Sequence, residues 1–231
     1  KEEEKEIKSI LEVLYRNNVF IRATKTVSEQ LIGQVKLFPS YGTSFVEVIR
    51  DLMPPYEENL KRIIDVGVSI LVLLLLLPFF AYVILRIKLD SKGPVFFTQK
   101  RAGLNRHPFQ MIKCRSMYVD AEQGTPQLTE PDDNRITPFG RFMRKYRIDE
   151  LPQFWNVLKG EMSLVGPRPE REYFIQQIVK IDPNYLFLLK VRPGISSLGM
   201  VKFGYADNVD KMIERLKYDM IYIKNMSILF D

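Results

Sequence analysis

The sequence predicts an α+β fold built on a re-entrant membrane helix broken at Pro78, with interfacial amphipathic helices and a small β-sheet, and three patterns carry this: a broken uncharged run, a strand-like alternation and a basic amphipathic stretch. Val66 to Leu85 holds no charged residue, and about twenty apolar residues is the length a helix needs to cross a bilayer. Leu73 to Leu77 is apolar on every face, where a surface helix would keep a polar stripe. Pro78 then removes an amide from that run and must disrupt it. Lys61 and Arg62 before the run are balanced by Arg86 and Lys88 after it, whereas a single crossing concentrates positive charge on one side. A helix that enters, bends and returns meets both the break and the symmetry, while a plain kinked crossing stays compatible with the same residues. Finally, the alternation of Phe109 to Met117 predicts a strand. Phe139 to Ile148, with Arg141, Arg144, Lys145 and Arg147 among apolar positions, predicts a basic helix suited to a membrane surface or a phosphate-rich site.

Within 231 residues, 46% of them hydrophobic, there is enough material for one sizeable core or two small ones, which excludes a disordered chain. The net charge of +6 favours anionic partners without choosing among nucleic acid, lipid and nucleotide phosphate. The single cysteine, Cys114, excludes an internal disulfide. Residues 1–57 read as a soluble connecting segment, with Ile7, Ile10, Leu11 and Leu14 on one helix face and a loop at Phe38-Pro39-Ser40-Tyr41-Gly42. Residues 58–88 are expected to form the membrane segment and 89–231 a further domain on one face of it. Both ends look cut from something longer.

Beyond the membrane segment, Val95 to Thr98 predicts a short strand, and Gly103-Leu104-Asn105 a turn, with His107 a surface residue beside it. On an extended chain Lys113 and Arg115 point the same way and would clamp an anion, or face solvent. Ala121 to Asn134, with Gly124, Pro126 and Pro131, reads as a loop, and Val209 to Asn225 as a late helix. Asp149-Glu150 follows the basic helix and precedes a second, from Leu151 to Leu158, with Pro152 in its first turn. Asp149 could be that helix's cap. Two adjacent carboxylates amid cations can instead hold Mg²⁺ and offer one oxygen as a nucleophile. Gly166-Pro167-Arg168-Pro169 and Arg192-Pro193-Gly194 each present an arginine from a rigid turn, the side chain best suited to bidentate phosphate binding.

From Lys61 to Asp231 the chain resembles the bacterial sugar transferase family of monotopic phosphoglycosyl transferases. The resemblance rests on six blocks in the family's order: Lys61-Arg62-Ile63-Ile64-Asp65, Gly93 to Phe97, Lys113 to Met117, Asp149 to Gln153, Met162 to Pro169 and Arg192 to Gly194. It implies transfer of sugar-1-phosphate from a UDP-sugar to undecaprenyl phosphate with release of UMP, as the first membrane step of exopolysaccharide, capsule or O-antigen synthesis. Asp149 matches the nucleophile that forms a phosphosugar-aspartate intermediate. Glu150 matches its partner in binding Mg²⁺ or activating the lipid phosphate. Lys113, Arg115, Arg144, Arg168 and Arg192 match the phosphate-binding cations. The resemblance further implies membrane lipid as a partner, no nucleic acid, and the cytoplasmic face of the bacterial inner membrane, and it admits a homodimer. Two departures stand out. Arg106 replaces a usual glycine, and Ser196 to Val201 departs from the threonine-glycine and tryptophan-glutamine pattern expected after Gly194. An inactive relative, or a membrane-anchored anion-binding module, is the alternative these residues leave.

Overall fold

A computed structural model describes residues 22–24, 35–40, 43–48, 52–119, 121 and 133–231, and the chain is α+β. It divides into two compact units, one of residues 1–58 with 223–230, the other of residues 59–222 with 231. In the first, β1 (Arg22–Thr24), β2 (Val35–Ser40) and β3 (Thr43–Val48) form an antiparallel sheet in the order β1-β3-β2. Phe38-Pro39-Ser40, expected in a loop, is instead the end of β2, with Pro39 opposite Ser44. Because β2 is an edge strand, the amide that proline lacks need not serve a ladder. The helix face expected at Ile7 to Leu14, and nearly all of the loop expected from Ala121 to Asn134, lie outside the described residues.

The uncharged segment forms two helices, α1 (Pro55–Leu75) and α2 (Leu77–Asp90), bent by 63°. Pro78 occupies the first turn of α2, where a missing amide costs nothing, so the chain breaks just before it. Among the described residues no single helix is long and apolar enough to cross a membrane, although the bent pair is by length and composition. Leu71, Leu74, Leu75, Leu77, Leu85 and Leu89 are each more than half exposed.

Both ends of this helix pair are tied to polar groups of the second unit. Near the start, buried Asp65 accepts hydrogen bonds from Ser163 Oγ (2.7 Å) and the Leu164 amide (3.1 Å). Lys61 Nζ donates to the Val165 carbonyl (3.1 Å) and pairs with Asp231. Arg62 donates to the carbonyls of Val157 (2.7 Å) and Leu158 (3.1 Å). At the far end, Arg115 Nη2 donates to the Ser91 carbonyl (2.6 Å) and hydroxyl (3.0 Å), and Asp90 accepts from the Phe139 amide (3.3 Å). Val83 and Ile87 of α2 pack with Cys114, Phe139 and Met143, and this cluster joins the bent helix pair to the elements that follow.

Those elements begin with an antiparallel hairpin, β4 (Phe96–Ala102) and β5 (Pro108–Cys114), in which Phe96 faces Cys114 and Ala102 faces Pro108. Its turn holds Asn105 (φ 52°) and Arg106 (φ 65°) in the left-handed region. That conformation costs a residue with a Cβ about 1–2 kcal/mol, which is the physical reason for a glycine there. Arg106 offsets part of it by pairing with Glu172, Nε to Oε1 at 3.1 Å. His107 is exposed, as expected.

The basic helix α3 (Pro138–Lys145) is capped by Thr137, whose hydroxyl accepts from the Gly140 amide (3.0 Å). It stops short of Ile148 because Arg147 takes φ 55°. Gly140 lies against the Ser116 backbone, and a Cβ there would sit 2.0 Å from the Ser116 oxygen. Gly140→Ala is therefore expected to lower stability by about 2–3 kcal/mol, read as a fall in thermal midpoint, because backbone cannot yield as a flexible side chain would. After α4 (Gln153–Lys159) come β6 (Ser163–Val165), α5 (Glu172–Ile181), α6 (Tyr185–Leu188), β7 (Gly194–Ser196), parallel to β6, and α7 (Leu198–Lys202). The last helix, α8 (Val209–Lys224), forms where the late helix was expected.

Candidate active site

Asp149 and Glu150 sit on a single 3₁₀ turn, Ile148–Glu150, between α3 and α4. The left-handed Arg147 ends the approach to this turn, and Ile148 packs onto the cluster of Val83, Ile87, Cys114, Phe139 and Met143. Seated in this way, the two carboxylates are 7% and 4% exposed. Asp149 is not a helix cap, because the cap position of α4 is Pro152 and no side chain serves it.

The two carboxylates differ in their surroundings. Glu150 Oε1 accepts from Lys113 Nζ (3.2 Å) and Arg168 Nη2 (3.1 Å), and Oε2 accepts from Arg147 Nη1 (3.2 Å). Burial alone would raise its pKa, but Arg168 and Lys113 more than compensate and hold it at about 2. The Asp149 carboxylate makes no hydrogen bond among the described residues. Burial raises its pKa, opposed by Lys113, with Glu150 adding to the rise and Arg144 and Arg168 opposing it. Lys113 is itself brought down to about 8, first by burial and then by Arg168, against the pull of Glu150. One carboxylate is thus locked in ion pairs and its neighbour is left unbonded in the same electropositive surroundings.

Arg168 is delivered by paired backbone turns. Gly166 donates to the Ser196 carbonyl (3.0 Å) and Gly194 to the Pro167 carbonyl (2.9 Å). These contacts need glycine, since a Cβ on Gly194 would come within 2.2 Å of the Gly166 nitrogen. Beyond the turn, buried Glu170 accepts from Arg215 (2.7 Å) and Arg101 (3.0 Å), fixing the base of the loop to α8 and β4. At its tip, Arg168 Nη1 also lies 2.9 Å from Met200 Sδ.

The five cations expected at phosphates divide accordingly. Lys113 and Arg168 meet at Glu150, and Arg144, held by the Ser116 hydroxyl (2.9 Å), is an electrostatic neighbour of Asp149. Arg115 is not part of this group. The ladder runs one residue past Cys114, since the Arg115 amide donates to the Val95 carbonyl (2.8 Å), but its guanidinium is buried against Ser91 at the end of α2. Arg192 donates to the Gly160 carbonyl (3.3 Å), at the left-handed residue that ends α4.

A model of the bacterial sugar transferase family matches residues 56–231. This chain is a bacterial sugar transferase family member. Over 208 residues it is 40% identical to the UDP-N-acetylgalactosamine-undecaprenyl-phosphate N-acetylgalactosaminephosphotransferase of Aeromonas hydrophila, covering 90% of this chain and 48% of that one. Over 205 residues it is 38% identical to the UDP-glucose:undecaprenyl-phosphate glucose-1-phosphate transferase of Escherichia coli K12, covering 88% of this chain and 42% of the relative. The like-named protein of Caulobacter vibrioides is 38% identical over 177 residues, 74% of this chain and 65% of its own length. The chain therefore spans about half the length of the first two.

Within this bacterial sugar transferase site, two contributors escape a reading of the sequence. Arg147 looks like one more charge on the basic helix, yet its left-handed backbone turns it onto Glu150. Tyr205 lies in a segment with no motif, and its ring approaches both Arg147 (5.0 Å) and Arg168 (5.6 Å). Cys114 is adjacent but inert, since burial pushes its thiol up to about 12. Among the described residues no group of three or more His, Cys, Asp or Glu side chains could hold a metal. The expected Mg²⁺ needs only one or two carboxylates when substrate phosphates supply the rest. The unbonded Asp149 carboxylate fits that donor set. Glu150, with three cations on its two oxygens, does not fit as a ligand in this arrangement.

Proposed function

We propose that this chain transfers sugar-1-phosphate from a UDP-sugar to undecaprenyl phosphate, releasing UMP through a covalent aspartyl intermediate. The observation that carries the reading is the asymmetry of the pair: Asp149 unbonded and buried, Glu150 neutralised by Lys113, Arg168 and Arg147. In the first displacement an Asp149 oxygen attacks the sugar-bearing phosphorus. An O–P bond forms, the bond to the bridging oxygen breaks, and the electron pair leaves with UMP. In the second, an oxygen of the lipid phosphate attacks the same phosphorus and the Asp149 carboxylate is released unchanged. Phosphoryl transfer asks chiefly for in-line placement and neutralisation of spreading charge. Lys113, Arg144 and Arg168 supply that neutralisation around Asp149. Glu150 keeps Lys113 and Arg168 in place between turnovers and gives way as diphosphate oxygens arrive. Asp149, together with substrate phosphates, would hold Mg²⁺, which would add further charge neutralisation.

The names of all three relatives described above include undecaprenyl phosphate, which favours this acceptor. A lipid phosphate and a soluble nucleotide sugar meet only at a membrane surface, and the bent helix pair suits a re-entrant segment there. Its exposed leucines would cost heavily in water as a contiguous patch. Both of its ends are bonded to one compact unit, through Asp65, Lys61 and Arg62 at one end and Arg115 at the other. A plain crossing would place them roughly 30 Å apart on opposite faces. The reading places the catalytic unit on the cytoplasmic face of the bacterial inner membrane, where UDP-sugars are available.

The test is UMP release by the nanodisc-held protein given Mg²⁺, undecaprenyl phosphate and a panel of UDP-sugars. Release that requires both the lipid and one particular sugar is expected. Absence of release with every sugar, from folded protein, would overturn the proposal.

A further inference from the structure

Arg147 is anomalous among the cations on Glu150. Lys113 and Arg168 have side chains 17% and 14% exposed, held by surrounding structure, but that of Arg147 is 43% exposed on a left-handed backbone. A long exposed side chain forfeits rotamer entropy when fixed in one ion pair, and such pairs contribute little alone. Something else must keep this guanidinium on Glu150. The Tyr205 ring lies 5.0 Å from it and 5.6 Å from the Arg168 guanidinium, both inside the range of cation–π attraction. Tyr205 is also an electrostatic neighbour of Arg144. The ring reaches this place because the chain reverses after α7 at Gly204, φ 94°, inside the segment that follows the family's last shared motif. Tyr205 is 61% exposed, so it contributes little to the hydrophobic core.

We propose that Tyr205 is a positioning residue: its ring holds the guanidinia of Arg147 and Arg168 toward Glu150, ready for the phosphates of the nucleotide sugar. Without the ring, the exposed Arg147 would swing away from the like-charged Arg168 and sample solvent. Sharing one ring keeps both within reach of the same anion at a small entropic cost. The inference rests on the phosphoglycosyl transfer reading, and its test separates the two.

The nanodisc-held full chain is compared with Tyr205→Phe and Tyr205→Leu for UMP binding by titration calorimetry, for kcat and KM of UMP release, and for thermal midpoint. Loss of two exposed cation–π contacts is expected to lower kcat/KM by about tenfold in the leucine variant, mostly through KM, with UMP binding weakened in parallel. The phenylalanine variant, which keeps the ring, should stay within about twofold of the parent. Thermal midpoints should be unchanged in both, which a merely structural role would not give. Leucine behaving as the parent, or phenylalanine failing as far as leucine, would overturn the assignment. If the parent itself releases no UMP, the transfer reading falls, and the UMP-binding comparison alone still decides the role of Tyr205.

Discussion

Asp149→Asn is expected to lower UMP release by about 10³-fold or more, the scale on which enzymes lose rate when a nucleophile is removed from an otherwise intact site. The substitution is sterically neutral and removes no hydrogen bond, because the carboxylate makes none among the described residues. Its effect on stability has a definite sign. Burial raises the folded-state pKa of Asp149 above the usual 3.8. A group shifted in that direction contributes stability that is present below its ordinary pKa and lost as pH rises through the folded value. At neutral pH the ionised carboxylate is therefore a burden on the fold, and the neutral amide should melt no lower than the parent. A second readout isolates the chemistry. Without lipid acceptor the parent should accumulate protein heavier by one phosphosugar, seen by intact-mass spectrometry, and Asp149→Asn should not. Equal UMP release from both proteins would refute a covalent aspartyl intermediate while leaving the family membership untouched.

How far the fold could be read in advance depended on whether its determinants are local. The break at Pro78, the β4–β5 hairpin and α8 each follow from chemistry within a few residues: a missing amide, an alternating strand around a turn, a helical period. The Asp149-Glu150 pair was legible for the same reason, being adjacent in sequence. Partner choice was not. Lys61 and Arg62 read as flanking charge on a membrane segment, but in the structure they donate to the carbonyls of Val165, Val157 and Leu158, contacts that reach 95 to 104 residues along the chain. Arg115 reads as a strand neighbour of Lys113, and its guanidinium is taken up instead by Ser91, a partner that no strand pattern announces. Pro39 read as a turn because proline is usually excluded from strands, and only the order of strands shows that β2 is an edge. Arg106 departs from a glycine pattern, and the left-handed turn explains both the pattern and how Glu172 tolerates the exception.

The second large effect is expected from Glu150→Gln, which keeps the side chain's shape and removes the charge that three cations share. Lys113 and Arg168 would be left buried beside each other with only an amide oxygen between them. Removing one partner from buried pairs of this kind costs about 3–5 kcal/mol, and the half-exposed Arg147 adds little to that. The cost depends on pH in a way that identifies its source. Glu150 has a folded pKa of about 2 against an ordinary 4.5. The stability it contributes is thus fully present above pH 4.5 and is lost as pH falls toward 2. The difference in thermal midpoint between parent and Glu150→Gln should be largest near neutral pH and close progressively below pH 4.5. Nucleotide binding should move the other way. If Glu150 occupies the cations until a diphosphate displaces it, the glutamine variant will bind UMP more tightly than the parent while turning over about 10²-fold more slowly, because the same cations then hold product as firmly as they hold the transition state. Weaker UMP binding in that variant would mean that Glu150 shapes the phosphate site and does not compete for it, and the displacement step assigned to it would have to be abandoned.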